Sequence, residues 1–215
     1  MQPVPIMLTA TNIYFAYNAS AAFHFPDLHC AGGETLLVSG GSGVGKTTLL
    51  HLLAGLRTPQ SGRVHVRETE LTRLSGRTLD RFRGRHIGIV FQQPHFVAAL
   101  SALENLLLAT WLALQKKDKS KALDLLEHLG VADQAHKKPA QLSVGQQQRL
   151  AIARALINDP AVVLADEPTS NLDDKNARIV ADLLREQAQK AGAALIIVTH
   201  DFRLKQIFHN NLELI

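Results

Sequence analysis

Apolar positions along the chain change their spacing as it runs, and each change predicts a different element. Ile6 to Tyr17 and Phe23 to Cys30 are rich in β-favouring residues and predict strands, separated by a polar break at Asn18 to Ser20. Gly32-Gly33 marks a turn, after which Thr35 to Ser39 is a short apolar run of the kind a buried strand carries. A glycine-rich loop follows, then a helix holding Leu49, Leu50, Leu52 and Leu53, which Gly55 and Pro59 close.

The middle of the chain has helical spacing. Ile87 to Phe91 predicts a short strand that Pro94 ends. Ser101-Ala-Leu-Glu104 is a capping-box pattern and predicts a helix through Leu114. After the charged link Lys116 to Lys121, Ala122, Leu125, Leu126 and Leu129 share one helical face, and Gly130 stops it. The last third returns to alternation: a helix over about 146–157, a strand from Ala161 to Ala165, a helix near 174–190 and a strand from Ala194 to Val198. Strands alternating with helices predict an α/β fold with a mainly parallel sheet, helices on its faces and an N-terminal antiparallel β subdomain. The expected organisation is one domain over 1–215, with a core of about 1–91 and 146–215 and a helical subdomain of about 92–145 inserted in it.

Composition narrows this little. The 215 residues are 46% hydrophobic and 20% charged, an ordinary balance for a folded domain. The single cysteine, Cys30, predicts a buried small hydrophobe in a reducing compartment rather than a reactive thiol. Met1 to Pro5 lacks the cationic start of a secretory signal. The longest apolar stretch, Leu106 to Leu114, falls short of the roughly 20 residues a spanning helix needs. A soluble protein, held at a membrane only through a partner, is therefore expected. The net charge of +4 gathers in Arg57, Arg63, Arg67, Arg73, Arg77, Arg81, Arg83 and Arg85. Glu68, Glu70 and Asp80 dilute that run and no aromatic platform interleaves it, so no nucleic-acid partner is expected. It reads either as a solvated face or as one turned to anionic headgroups or an acidic partner loop.

The chemistry begins at Gly40-Gly41-Ser42-Gly43-Val44-Gly45-Lys46-Thr47, which fits G-x-x-x-x-G-K-[ST] between a strand and a helix. Glycines let successive backbone N–H groups converge on phosphate oxygens, and the helix that follows, with Thr48 in its first turn, aims its positive end at the same point. Lys46 then suits the β- and γ-phosphates of ATP, and the Thr47 hydroxyl suits Mg²⁺. A second strand, Val162 to Ala165, ends in Asp166 and Glu167, which the carboxyl edge of a parallel sheet would place beside that loop. Asp166 suits a magnesium shell and Glu167 a base that polarises water; the plainer alternative is a pair of helix-start acids before Pro168.

Leu142-Ser143-Val144-Gly145-Gln146, continuing Gln147 to Leu156, resembles the signature segment of ABC ATPases. Gln92 resembles that family's Q-loop, Ser170-Asn171-Leu172-Asp173 its D-loop, and His200 its switch histidine. The resemblance covers nearly the whole chain. It implies an ATPase in which two nucleotide domains clamp two ATP molecules head to tail, Ser143, Val144, Gly145 and Gln146 of one copy closing over the phosphate loop of the other. It also implies Tyr17 against adenine, Gln92 in the Mg²⁺ and water shell, His200 on the γ-phosphate, and Asp173 coupling the two sites. Val144 stands where glycine is usual; its N–H remains a donor if the local φ is negative.

Leu164 to Asp173 is similar to the small ATPases of lipoprotein release, macrolide export and cell division, although those have glycine at the place of Ser170. The resemblance implies a subunit that energises a separate transmembrane permease, as a dimer with itself or a paralogous ATPase, at the cytoplasmic face of the inner membrane. The alternatives are a cell-division-type signal transducer and a soluble assembly ATPase. Phe96 and Leu100, in the expected docking loop Gln92 to Leu100, suit a partner groove or the core equally.

Overall fold

The computed structural model describes residues 4–18 and 21–215; the first three residues of the start and Ala19-Ser20 of the polar break lie outside them. Strand β1 (Ile6–Asn18) is the spine of an antiparallel sheet. Its second half pairs with β2 (Ala21–His24) and its first half with β3 (Leu28–Ala31). Phe23 to Cys30 is therefore not one strand. Pro26 has no amide to donate, and the Asp27 carboxylate accepts from the Asn12 amide at 2.7 Å, so the chain turns a corner here.

Strand β4 (Thr35–Gly40) then starts the parallel sheet and runs through the glycine loop into helix α1 (Lys46–Leu53). Next come β5 (Ser61–Val66), antiparallel to β1, then β6 (Thr69–Glu70) and α2 (Gly76–His86). None of these three is expected from the sequence. In β5, Val64 and Val66 alternate with Arg63 and His65 and are buried, a short period-two signal set among arginines. Strand β6 is two residues long, and α2 buries none of its residues; it rests on half-buried Leu79 and Phe82.

Strand β7 (Ile87–Val90) leads to α3 (Ala102–Leu112), α4 (Lys119–His128) and α5 (Val144–Leu156). The Ser101–Glu104 capping box forms, while α3 stops before Leu114, whose φ of 55° is left-handed. Buried Asn105 fixes the loop before α3 by donating to the carbonyls of Val97, Leu100 and Ser101. The remainder is β8 (Val162–Asp166), α6 (Asp174–Lys190), β9 (Ala194–Thr199), α7 (Phe202–Ile207) and β10 (Asn211–Leu214). The last two are too short to show a period in the sequence.

The parallel sheet runs β10-β4-β9-β8-β7, as the strand–helix alternation predicts. Its strands alternate between two cores, because successive side chains leave opposite faces. Leu37, Val163, Ala165, Leu195 and Ile197 join the core under α3 to α6, whereas Leu36, Val38, Val162, Leu164, Ile196 and Val198 join the one shared with α1 and the antiparallel sheet. Each fully buried leucine stabilises this arrangement by about 1.5–3 kcal/mol. Glycine is required at Gly88 of β7, where a Cβ would stand 2.2 Å from the Ala155 carbonyl of α5.

Candidate functional site

Because β4, β8 and β9 are parallel and adjacent, their carboxyl ends open on one edge. Register pairs Ser39 with Thr199 and Asp166 with Val198. Residues distant in sequence thus meet: the loop after Gly40, the Asp166-Glu167 pair and His200.

The loop needs left-handed backbone at its last turn. Gly45 caps α1 with φ 93°, and a Cβ there would lie 2.7 Å from the Phe23 ring. Lys46 Nζ donates to the carbonyls of Gly40 (3.0 Å) and Gly41 (2.6 Å), which holds the ammonium over the loop. The α1 first turn carries no acid, so its amides and Lys46 make an electropositive mouth. Val44 turns its side chain back onto the core of the antiparallel side, leaving its backbone to the loop.

Opposite lie the two carboxylates, both buried. Thr47 Oγ1 donates to Asp166 Oδ1 at 3.3 Å. Burial chiefly pushes the Asp166 carboxyl up from its ordinary range, the Thr47 hydrogen bond opposes this, and neighbouring Glu167 adds to it. A hydroxyl beside a buried carboxylate is a hard-oxygen donor set that fits Mg²⁺ completed by phosphate oxygens.

Glu167 has φ 46°, a left-handed backbone that an L side chain adopts only at a cost. Its amide donates to Val198 O at 2.9 Å, which fixes that turn. The carboxylate accepts from Thr199 Oγ1 (2.7 Å) and from the His200 amide (3.0 Å), and His200 Nδ1 lies 2.6 Å from Oε1. The His200 ring itself is largely exposed, at 65% of its side chain.

A cleft of about 480 Å³ is lined by Ser42, Gly43, Gly45, Lys46, Thr47, Thr48, Gln92, Glu167, His200 and Phe23. The sequence marks Phe23 only as a strand residue, and no sequence signal separates it from Phe25, on which it stacks. Tyr17 stands beside the cleft, its hydroxyl 3.2 Å from Thr48 Oγ1. The Arg57 guanidinium covers its ring at 4.6 Å, a contact that no local sequence pattern announces.

Ser143 to Gln146 do not line this cleft. They form an exposed capping box in which Ser143 Oγ accepts from the Gln146 amide and Gln146 Oε1 from the Ser143 amide (2.9 Å). Val144 is the first residue of α5, with φ outside the left-handed range and a side chain 59% exposed. Its N–H is therefore free of the conformational demand that favours glycine. Phe96, by contrast, packs on the helical core under the Arg154 guanidinium at 4.8 Å.

Behind His200, Asp201 accepts from Thr169 Oγ1 (2.7 Å) and from Arg203. The Arg203 hydrogen bonds above all hold its carboxyl down at about 2. A depressed carboxylate stabilises the fold above its unfolded pKa of about 3.9, and that contribution is lost as pH falls through the folded value. Asp201→Asn should accordingly show a shallower loss of stability than the parent between about pH 4 and pH 2 in acid titrations followed by circular dichroism.

A phosphate-binding loop at the carboxyl edge of a parallel sheet, faced by a strand-end acid pair, defines a P-loop nucleotide-binding domain. Comparison with known proteins takes this further. Residues 24–170 match the ABC transporter family model, and the chain belongs to that family. It is 43% identical over 190 residues to the lipoprotein-releasing system ATP-binding protein LolD of Xanthomonas campestris pv. campestris (strain 8004), covering 87% of this chain and 80% of that one. The LolD of Legionella pneumophila (strain Paris) is 40% identical over 207 residues, 94% and 91% of the two chains. Among solved structures, the ATP-binding cassette MJ0796 in a dimeric post-hydrolysis state with ADP and Pi superposes with a TM-score of 0.87 at 32% identity, covering 97% of this chain and 94% of that one. An inward-facing putative metal-chelate type ABC transporter superposes with 0.80 at 29% identity, covering 97% and 80%.

Proposed function

We propose that the chain is the Mg²⁺-dependent ATPase of a lipoprotein-exporting membrane complex, and that it works as a head-to-tail dimer. Family membership makes it an ABC ATPase; the metal, the cargo and the residue roles are our reading. The observation that carries it is the convergence of Lys46, Thr47, Glu167 and His200 on one cleft, with buried Asp166 bonded to Thr47 behind it.

Lys46 and the loop amides bind the triphosphate, with Tyr17 beside the adenine. Thr47, Asp166 and Gln92 would hold Mg²⁺, which when bound draws charge from the β- and γ-phosphates. Glu167 takes the proton side of the attacking water, and His200, held by Glu167, orients the γ-phosphate end. Val144 and Gly145 of a second copy offer their helix-start N–H groups to the same phosphate, beside Ser143 and Gln146, whose amides the capping box holds, and Asp173 lies on the shared face. The exposed capping box at Ser143 to Gln146 supports a site completed by that copy.

No helix among the described residues is long and apolar enough to cross a membrane. A groove of about 490 Å³ between α2, α3 and α5, lined by Leu56, Phe91, His95, Leu112 and Arg154, supports docking of a separate membrane subunit beside the loop after Gln92. In this reading the chain is peripheral, on the cytoplasmic face of the inner membrane. The 40–43% identity to LolD proteins supports a lipoprotein cargo.

Light scattering tests the core of this reading. The protein with ATP and Mg²⁺ should roughly double its mass when hydrolysis is blocked, and chelation with EDTA should return it to monomer. A mass insensitive to both would rule out the ATP-sandwich dimer.

A further inference from the structure

Arg203, in the first turn of α7, makes an unusually complete set of contacts for a residue outside the cleft. Its Nε meets both Asp201 oxygens at 2.9 and 3.0 Å. Nη2 donates to Asp201 Oδ2 (2.7 Å) and to the Thr169 carbonyl (3.2 Å), and Nη1 to the Leu172 carbonyl (3.2 Å) and Asp174 Oδ1 (2.8 Å). One planar fork thus holds three points of the Thr169–Asp174 turn and the carboxylate that follows His200.

The contacts continue into the site. The Asp201 amide donates to Thr199 Oγ1 at 2.9 Å, and that hydroxyl donates to Glu167 Oε2 at 2.7 Å. From the other side, Ser170 Oγ donates to the Glu167 carbonyl at 3.1 Å. Thr169 and Thr199 are fully buried, so these bonds exchange little with water. Glu167, in its left-handed backbone, is gripped by both segments that Arg203 ties together.

We propose that Arg203 is a positioning residue for ATP hydrolysis, clamping the Thr169–Asp174 turn to the Thr199–Asp201 segment so that Glu167 and His200 keep the geometry hydrolysis needs. The proposal rests on the reading of Glu167 and His200 given above. Arg203 touches no nucleotide-loop residue, so its loss should spare binding and slow the chemical step. Neither a surface ion pair nor a merely stabilising clamp would divide the kinetics in that way.

The test uses the full chain with ATP and Mg²⁺. Arg203→Gln should lower kcat by about 10–100-fold, the usual cost of removing a support behind a reacting group, with KM changed by less than about threefold. Arg203→Lys restores charge beside Asp201 without the fork to the two carbonyls, and its kcat should stay within about threefold of the Gln variant. If Arg203 acts through Asp201, adding Asp201→Asn to Arg203→Gln should cost less than about threefold more. The proposal is overturned if a folded Arg203→Gln turns over within about twofold of the parent, if the loss lies in KM, or if lysine restores full turnover. Should the Gln variant not fold, the kcat and KM of the Lys variant decide by the same limits. Glu167→Gln measured in parallel separates the two readings: normal turnover there sinks the role of Glu167, whereas an inactive Glu167→Gln beside an unimpaired Arg203→Gln sinks only the clamp.

Discussion

Glu167→Gln should keep ATP within a fewfold of the parental affinity while turnover falls by about 10²–10⁴-fold, the range attached to a lost general base. The change replaces one basic carboxylate oxygen with an NH₂ group. Glutamine matches the volume and keeps one acceptor oxygen, enough for the Thr199 hydroxyl, while the bonds from His200 to Oε1 are lost, and Lys46 and the loop stay untouched. The left-handed backbone at residue 167 is held by the amide bond to Val198, which the substitution does not alter. Binding and chemistry should therefore separate, and the variant with ATP and Mg²⁺ should accumulate as a stable dimer. Single-turnover measurement with radiolabelled ATP checks this. Normal release of phosphate would assign the base elsewhere.

Lys46→Ala should have the opposite signature. Among the described residues lining the cleft, the Lys46 ammonium is the one lysine or arginine cation. Its charge-assisted bonds to phosphate are worth about 1.5–3 kcal/mol each, so nucleotide affinity should drop by roughly 10–150-fold. Removing it also frees the Gly40 and Gly41 carbonyls from their internal donor, which loosens the loop. ATPase activity should fall with it, and raising ATP should recover only part, since the same charge is needed as phosphate charge develops. Equilibrium titration with a fluorescent ATP analogue, beside turnover at saturating ATP, measures both. Unchanged affinity would remove Lys46 from the phosphate site.

The two substitutions fail differently because the cleft has two walls of different origin. One is a continuous loop whose function is written in adjacent residues, Gly40 to Thr47. The other is assembled from the ends of separate strands, β8 and β9, and holds its charges by burial and hydrogen bonds. The first could be read directly from spacing. The second could be read as a pair of acids and a histidine, but the 2.6 Å contact between Glu167 and His200 depends on strand order.

Several other features were legible because a local rule decides them. The capping boxes at Ser101–Glu104 and Ser143–Gln146 span four residues and form as written. The buried strands β4, β8 and β9 declare themselves as short apolar runs, and strand–helix alternation suffices for a parallel sheet. Elements whose stability comes from distant neighbours escaped. Helix α2 buries no residue fully, and β10 acquires a reason to be a strand only by pairing with β4. The corner at Pro26 was visible as a proline, but not that it sends the two halves of the segment to opposite ends of β1.

By itself, the sequence determined the fold class and the family and marked the candidate phosphate loop, since each is a matter of spacing between neighbours in the chain. Tertiary structure alone decided that Phe23 faces the cleft, that Arg57 covers Tyr17 and that Arg203 ties two distant turns together. These are contacts between residues roughly twenty to forty positions apart in the chain. No short-range pattern encodes them, because only the order of strands in the sheets brings such groups within hydrogen-bonding or ring-contact distance.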